Sequence, residues 1–401
     1  MMLARAALLA ALLVAPVAAR AQPIDASDVA PALRAGVAAY RSGDLVSAEA
    51  SLRPLASGNA DAQAWLGAVL LDRARTREAL QVLQQAADAG SAEGANRLGV
   101  LFAQGVEGVP RNDARALELF ERAGAAGHPR AQINAGTLYY RGQGTQRDLV
   151  RARAWFEKAA ASDDPYALYA LGRAMDESSG QAMTDLTRAA ELYRRAAQHG
   201  HPLAALRYGL ALADGIGVRK DPVTAHGWLI YAERSGVPEA ALALGDMAVR
   251  VPASRDKAAG EKALQSAITW YDAAAKAGIA SAQFKLANAY FAGIGVARDP
   301  QQAARWYGRA AGQGLPEAQH IFGVLLTSGG AGTPDAVEGY KWLLLAERGG
   351  YPDSRSARER LADKLSETDR RRAEALAAKF TPLQERLPND APPRLGPPGR
   401  P

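Results

Sequence analysis

Between residues 60 and 350 the chain alternates short apolar stripes with glycine-rich breaks, and the stripes have helical spacing. Ala131, Ala135 and Tyr139 fall four apart; Ala152, Trp155 and Ala159 follow at three and four. Each set is one face of a 3.6-residue helix. Between them Arg141-Gly-Gln-Gly144 breaks the pattern, because glycine reaches the positive φ angles of a tight turn without a Cβ clash. Asp148 stands where the second helix should begin and can accept hydrogen bonds from its free amides. Gly127, Gly200, Gly236, Gly278, Gly314 and Gly350 close the second helices at the expected C-terminal position. No stretch alternates usefully with the period of a strand. The pattern predicts an all-α chain of helix pairs.

Those pairs recur with a fixed period, the signature of a repeat architecture. The glycine after the first helix's apolar residue falls at Gly67, Gly99, Gly136, Gly172, Gly209, Gly245 and Gly323, with Ala287 in the same slot. A second marker, Leu119, Trp155, Leu192, Trp228, Trp270, Trp306 and Trp342, steps by 36 or 37 residues except once, by 42. Both markers share that outlier. An insertion of six residues therefore falls around 251–261, where a loop is expected. The small slots let helices approach closely, and the tryptophan slot reads as core.

The composite pattern A-x-x-x-L-G-x-x-Y-x-x-G-x-G-V-x-x-D-x-x-x-A-x-x-W-x-x-x-A-A-x-x-G resembles the Sel-one-like repeat family, relatives of tetratricopeptide repeats. Ala282 to Gly314 is the best copy, and those at Ala131 and Ala204 are nearly as good. The copy at Ala167 lacks the G-x-G turn, and that at Ala318 has a blurred one. The resemblance implies a right-handed α-solenoid superhelix, with about eight units over 61–350. Residues 22–60 resemble one tetratricopeptide unit with a short loop, Ser42-Gly43-Asp44. Residues 351–380 read as polar capping helices that shield the last repeat, the final one opened by a Ser366-x-x-Asp369 box. The proline-rich stretch 381–401 reads as an extended, disordered tail.

The first 21 residues have the marks of a signal peptide. Arg5 supplies a positive start, Ala6 to Ala19 are apolar, and Ala19-Arg20-Ala21 gives a small-x-small site with cleavage expected after Ala21. The apolar stretch is short of the roughly 20 residues a bilayer span needs, and no later segment supplies one. A periplasmic or secreted protein is expected. Without Arg5 and Arg20 the net charge falls from +6 to +4, a weak excess that argues against nucleic acid as partner. The chain has no cysteine, which excludes disulfides, thiolate metal sites and a cysteine nucleophile.

Catalytic chemistry is sparse. His128, His199, His201, His226 and His320 form no metal-ligand spacing, and His128 and His201 fall in loops between repeats. No metal or cofactor is expected. Ser254-Arg-Asp-Lys257 matches the S-x-x-K nucleophile motif of penicillin-recognising enzymes, but neither K-T-G nor S-D-N accompanies it. The resemblance lends that motif some interest, since exported, cysteine-rich members of the family are associated with β-lactam binding. The alternative to a binding protein is therefore a cell-wall or β-lactam-directed hydrolase.

Stacked helix pairs present a groove lined by first helices. By resemblance to tetratricopeptide geometry, three slots of each unit face it. Two residues before the apolar position lie Asn96, Ile133, Tyr169, Phe284 and His320. One after the glycine lie Thr137, Arg173, Asp246 and Asn288; four after it lie Tyr140, Asp176 and Phe291. Aromatic area beside amides and single charges suits an extended peptide. The sequence thus points to a non-enzymatic scaffold of the bacterial cell envelope that binds a protein or peptide partner in this groove.

Overall fold

The computed structural model describes residues 31–178, 183–250 and 257–383. The signal segment 1–21, Ser254 and residues 384–401 lie outside the described residues. Of the described residues 75% are helical, in 20 helices, and none of them forms a strand. They divide into two units, one ending at His201 and one starting at Pro202.

Unit 1 holds ten helices in antiparallel pairs: α1 (Pro31–Ser42) with α2 (Leu45–Leu52), α3 (Ala60–Asp72) with α4 (Thr76–Asp88), α5 (Ala92–Gln104) with α6 (Asp113–Ala125), α7 (Pro129–Arg141) with α8 (Leu149–Ala160), and α9 (Pro165–Ser178) with α10 (Met183–Gln198). Unit 2 pairs α11 (Pro202–Asp214) with α12 (Pro222–Arg234), α13 (Pro238–Arg250) with α14 (Lys257–Lys276), α15 (Ala280–Ala292) with α16 (Pro300–Gly312), and α17 (Pro316–Ser328) with α18 (Ala336–Arg348). The short α19 (Ser354–Ala362) and α20 (Glu367–Ala378) then pack on α18. The caps are as the sequence implies. Asp148, Asp221, Asp299 and Asp335 each accept a backbone amide at the head of a second helix, and Pro222 and Pro300 occupy first-turn positions where no amide is needed.

The glycine slot works by contact. A Cβ on Gly136 would lie 2.6 Å from the Phe156 ring, and one on Gly245 would lie 2.5 Å from Tyr271. Phe156 and Tyr271 each stand one residue after the tryptophan marker, so the core aromatic of a pair is that neighbour, worth about 2–3 kcal/mol of burial. This corrects the tryptophan reading in part, since Trp228 and Trp342 in the same slot are buried. Trp155, Trp270 and Trp306 are only half-buried. Trp155 reaches back to Gly124 of the preceding pair, where a Cβ would meet it at 2.9 Å, and Lys158 covers its outer face at 4.2 Å. Trp155 thus seals a seam between pairs.

The G-x-G turn has two reasons for its two glycines. Gly142 takes the left-handed C-cap conformation of α7 (φ +66°). Gly144 also has positive φ, and a Cβ there would lie 2.4 Å from the backbone of Asp113 in the preceding pair. Turn and stacking therefore need the same residue.

Buried glutamines join successive pairs. Gln132, Gln283 and Gln319 donate their side-chain amides to Gly124 O, Ala275 O and Ala311 O at 3.0, 3.1 and 3.2 Å. Each adds a second hydrogen bond to a carbonyl near the end of the previous second helix, which also accepts the backbone amide of Gly127, Gly278 or Gly314.

Two other expectations change at the edges. The insertion is helical from Lys257 onward, extending α14 to 20 residues against 13 in α16. In the segment after the last pair, Leu361 and Ala373 pack with Tyr340 and Leu343, and Ser366 caps α20. The tail, however, begins tied down. Phe380 packs edge-on against Trp342 with centroids 5.4 Å apart, and the Leu383 amide donates to Gly312 O at 2.8 Å.

Candidate functional site

Helix polarity and the repeat place the three candidate slots along the first helices, but only two of them face outward. The slot before the apolar residue is a seam. Asn96 and Ile133 are buried, and Asn96 accepts a hydrogen bond from Asn134 of the next first helix at 3.1 Å. Tyr169 is buried too, its ring stacked on His201 with centroids 4.5 Å apart. Phe284 packs edge-on against Tyr307, and His320 pairs its Nδ1 with Ser354 Oγ at 3.0 Å. Thr137, in the second slot, is buried as well, its hydroxyl donating to Ile133 O at 2.7 Å. Sequence periodicity places these side chains on one helix face but not what stands opposite. The neighbouring repeat covers them.

The remaining candidates form two chemically different faces. In unit 1, Tyr140 donates its hydroxyl to the Glu177 carboxylate and accepts from Arg173 Nη2 at 2.8 Å. Arg147 pairs with the same carboxylate and donates Nε to Tyr140 O at 3.0 Å. Burial, then the Glu177 hydrogen bond, pushes the Tyr140 phenol well above its ordinary range. Burial and the neighbouring Arg173 press Arg141 down to about 10. Asp176 is exposed beside this network and accepts from Tyr193 at 3.4 Å.

In unit 2, Asp246 accepts from Tyr271 at 2.7 Å and from Lys285 Nζ at 2.5 Å. Asn288 is exposed and accepts from the Tyr307 hydroxyl at 2.5 Å. Both groups thus serve the core tyrosine of their own pair while remaining at the surface. Phe291 is 41% exposed, and Val249, in the equivalent slot, is also exposed.

Glu177, Arg147, Lys285 and Val249 were missed by slot reasoning. One signal could have found the first. The position five after the glycine carries Arg141 and Glu177, then Asp214 and Arg250, opposite charges one repeat apart; Arg250 and Asp214 do pair, at 2.5 Å.

A separate buried cluster lies in unit 1. Glu93 pairs with Arg97 and with His128 Nε2 at 2.8 Å, while His128 Nδ1 accepts from Ala131 N and caps α7. Burial alone would raise the Glu93 carboxyl, but Arg97 and His128 hold it at about 2. Arg97 also covers the Trp65 ring at 4.3 Å. Burial keeps His201 neutral, lowering it to about 4. These groups knit neighbouring helices together. A depression of about 580 Å3 lies elsewhere, between second helices, its Arg188 and Arg195 set against Glu157 and Glu191.

Comparison with known proteins agrees with this architecture. The Sel1 repeat signature matches residues 92–128, 129–164, 165–201, 202–237, 260–279, 280–315 and 316–351. The chain is 30% identical to chitin synthase regulatory factor 3 of Schizosaccharomyces pombe over 157 residues, 39% of this chain and 17% of that protein. It is 33% identical to the ERAD-associated E3 ubiquitin-protein ligase component HRD3B of Arabidopsis thaliana over 101 residues, 25% of this chain and 16% of that protein. The chain therefore spans under a fifth of the length of these relatives. The crystal structure of a Sel1 repeat protein from Oxalobacter formigenes superposes with a TM-score of 0.63 at 27% identity, covering 85% of this chain and 98% of that one.

Proposed function

The chain belongs to the Sel1 repeat family, and from that premise we propose that it is a non-enzymatic protein-interaction scaffold of the bacterial cell envelope. Exported by its N-terminal segment, it holds a peptide or protein partner on the face carried by its first helices. The observation that carries this reading is the pair of exposed apolar side chains four residues after the glycine slot in unit 2. Phe291 and Val249 stay open to solvent there although the core of each pair is complete without them. Contiguous exposed apolar side chains rimmed by polar ones mark interaction surfaces. The two relatives are, by their names, a regulatory factor and a ligase component, which fits an adaptor role. Because the helices are already ordered, docking costs the array little conformational entropy.

The test is crosslinking affinity purification from the envelope fraction, comparing the native chain with Tyr140→Ala/Phe291→Ala. The reading predicts partners enriched by the native chain and depleted by the variant at unchanged helicity. Equal recovery by both would refute the assigned face.

A further inference from the structure

The tryptophan marker shows what fills the seam between successive second helices. The Trp155 ring in α8 lies over Gly124 of α6. Trp306 packs against the cluster that holds Ala274 and Ala275 of α14, and Trp342 packs with Ala310 and Ala311 of α16. Gly124, Ala275 and Ala311 each stand five residues after the marker of the preceding pair. A cation covers each ring: Lys158 over Trp155 at 4.2 Å, Arg309 over Trp306 at 4.7 Å and Lys341 over Trp342 at 4.2 Å.

The seam between α8 and α10 has the same floor and no ring. Ala160 stands five residues after Trp155, but the marker of α10 is Leu192. A leucine lacks the reach of an indole, and the depression of about 580 Å3 lies here, floored by Ala160, Ala161, Leu171 and Leu192. That volume falls within the roughly 300–1,000 Å3 of ligand sites. Its rim is polar. Arg188 pairs across the seam with Glu157 at 3.5 Å, Arg195 pairs with Asp163, and Arg194 holds Glu191 at 2.6 Å. Arg195 stands three residues after the marker, as Lys158 and Arg309 do. The cation position is kept where the ring is not. Leu119, the other leucine at the marker, belongs to the first matched repeat and has no matched repeat before it, whereas the Leu192 repeat follows one.

We propose that the notch at Leu192 receives the indole of a tryptophan from a partner protein, packed on Ala160 as Trp155, Trp306 and Trp342 are packed on their own floors. Every aromatic residue of this chain lies within the described residues and none lines the notch, so the ring comes from another molecule. The apolar floor supplies the burial, and Arg195 supplies the cation at the ring face. The notch lies on second helices, so it is a second site that does not depend on the first-helix face. Val150 stands ten residues before Ala160 on α8, about 15 Å along the axis and out of reach of a single ring.

Two measurements on the full chain test the notch. Leu192→Trp supplies the sealing ring from within and should raise the melting temperature by about 2 °C. An unchanged or lower melting temperature would show that the notch does not accept an indole and would overturn the proposal. In the second, a random linear peptide library displayed on phage is panned against the native chain, and the selected peptides are rebound to Leu192→Trp. The proposal expects peptides that contain tryptophan and bind Leu192→Trp about tenfold more weakly. They should lose about as much when that tryptophan becomes alanine. Arg195→Gln should weaken the same peptides about threefold, the size of one exposed cation–π contact. If no selected peptide distinguishes the native chain from Leu192→Trp, or if those that do carry no tryptophan, the notch is overturned. A peptide held on the first-helix face binds both chains alike, so the two readings fail separately.

Discussion

In unit 1 the slot four residues after the first-helix glycine includes Tyr140 and Asp176 beside Leu71 and Ala103; in unit 2 it includes Val249 and Phe291 beside Ala213 and Thr327. The same repeat thus presents a hydrogen-bonded, arginine-rich surface in one half and exposed apolar side chains in the other. Polar burial differs as well. Unit 1 encloses the ion-paired Glu93 with Arg97 and His128, whereas unit 2 keeps its comparable pair, Lys285 and Asp246, partly in solvent. The lesson is that the repeat specifies spacing and helix approach, while the chemistry of its outward slots is free to vary from copy to copy.

Removing one member of the buried cluster should separate the halves most strongly. Glu93→Ala leaves Arg97 desolvated without its carboxylate and should cost about 3–5 kcal/mol in urea unfolding. Asp246→Ala should cost about 1 kcal/mol or less, because its pair is solvated. Equal losses would erase the distinction.

The glycine slot comes next. Gly136→Val drives a branched side chain into Phe156 and should cost about 3 kcal/mol. Ala287→Gly, the converse change in unit 2, should cost only about 1 kcal/mol through helix propensity. Thermal melts of both variants measure the contrast.

Acid should act mainly on unit 1. His201, lowered to about 4, favours the folded state while neutral, so its contribution is complete above pH 6.5 and fades as pH falls toward 4. Glu93, held at about 2, contributes fully above pH 4.5 and loses that contribution between 4.5 and 2. Unfolding followed by hydrogen exchange should therefore show unit 1 weakening first on acidification, with Glu93→Gln flattening the lower part of the curve. Stability of unit 1 that rose as pH fell from 6.5 to 4 would contradict this assignment. The smallest effect concerns Ser254: Ser254→Ala should leave nitrocefin turnover at the background of the native chain.

Much of the architecture was legible in sequence because it rests on one-dimensional spacing. The glycine slot, the Asp148 cap and the G-x-G turn each depend on residues a few positions apart. What was not legible depends on the neighbouring repeat. Trp155 reads as core by periodicity, yet it closes a seam onto Gly124, one pair back. Asn96, Ile133, Thr137 and Tyr169 share a helix face with Tyr140 but are covered by adjoining helices. Gln132 carries no signal of its own in the sequence, because its partner, Gly124 O, belongs to the preceding pair. The start of the tail, residues 381 to 383, reads as disordered by composition, yet the Leu383 amide donates to Gly312 O and ties it down.

The central claim is that partners dock on the first-helix face at the slots that stay open. Site-specific photocrosslinking in cells tests it directly, with a photoreactive residue placed in turn at Tyr140, at Phe291 and at Val150. Val150 lies on a second helix and is 80% exposed, so it reports accessibility without the proposed face. The account predicts discrete crosslinked products from positions 140 and 291 and none from 150. Products of equal yield at all three, or at 150 alone, would contradict it.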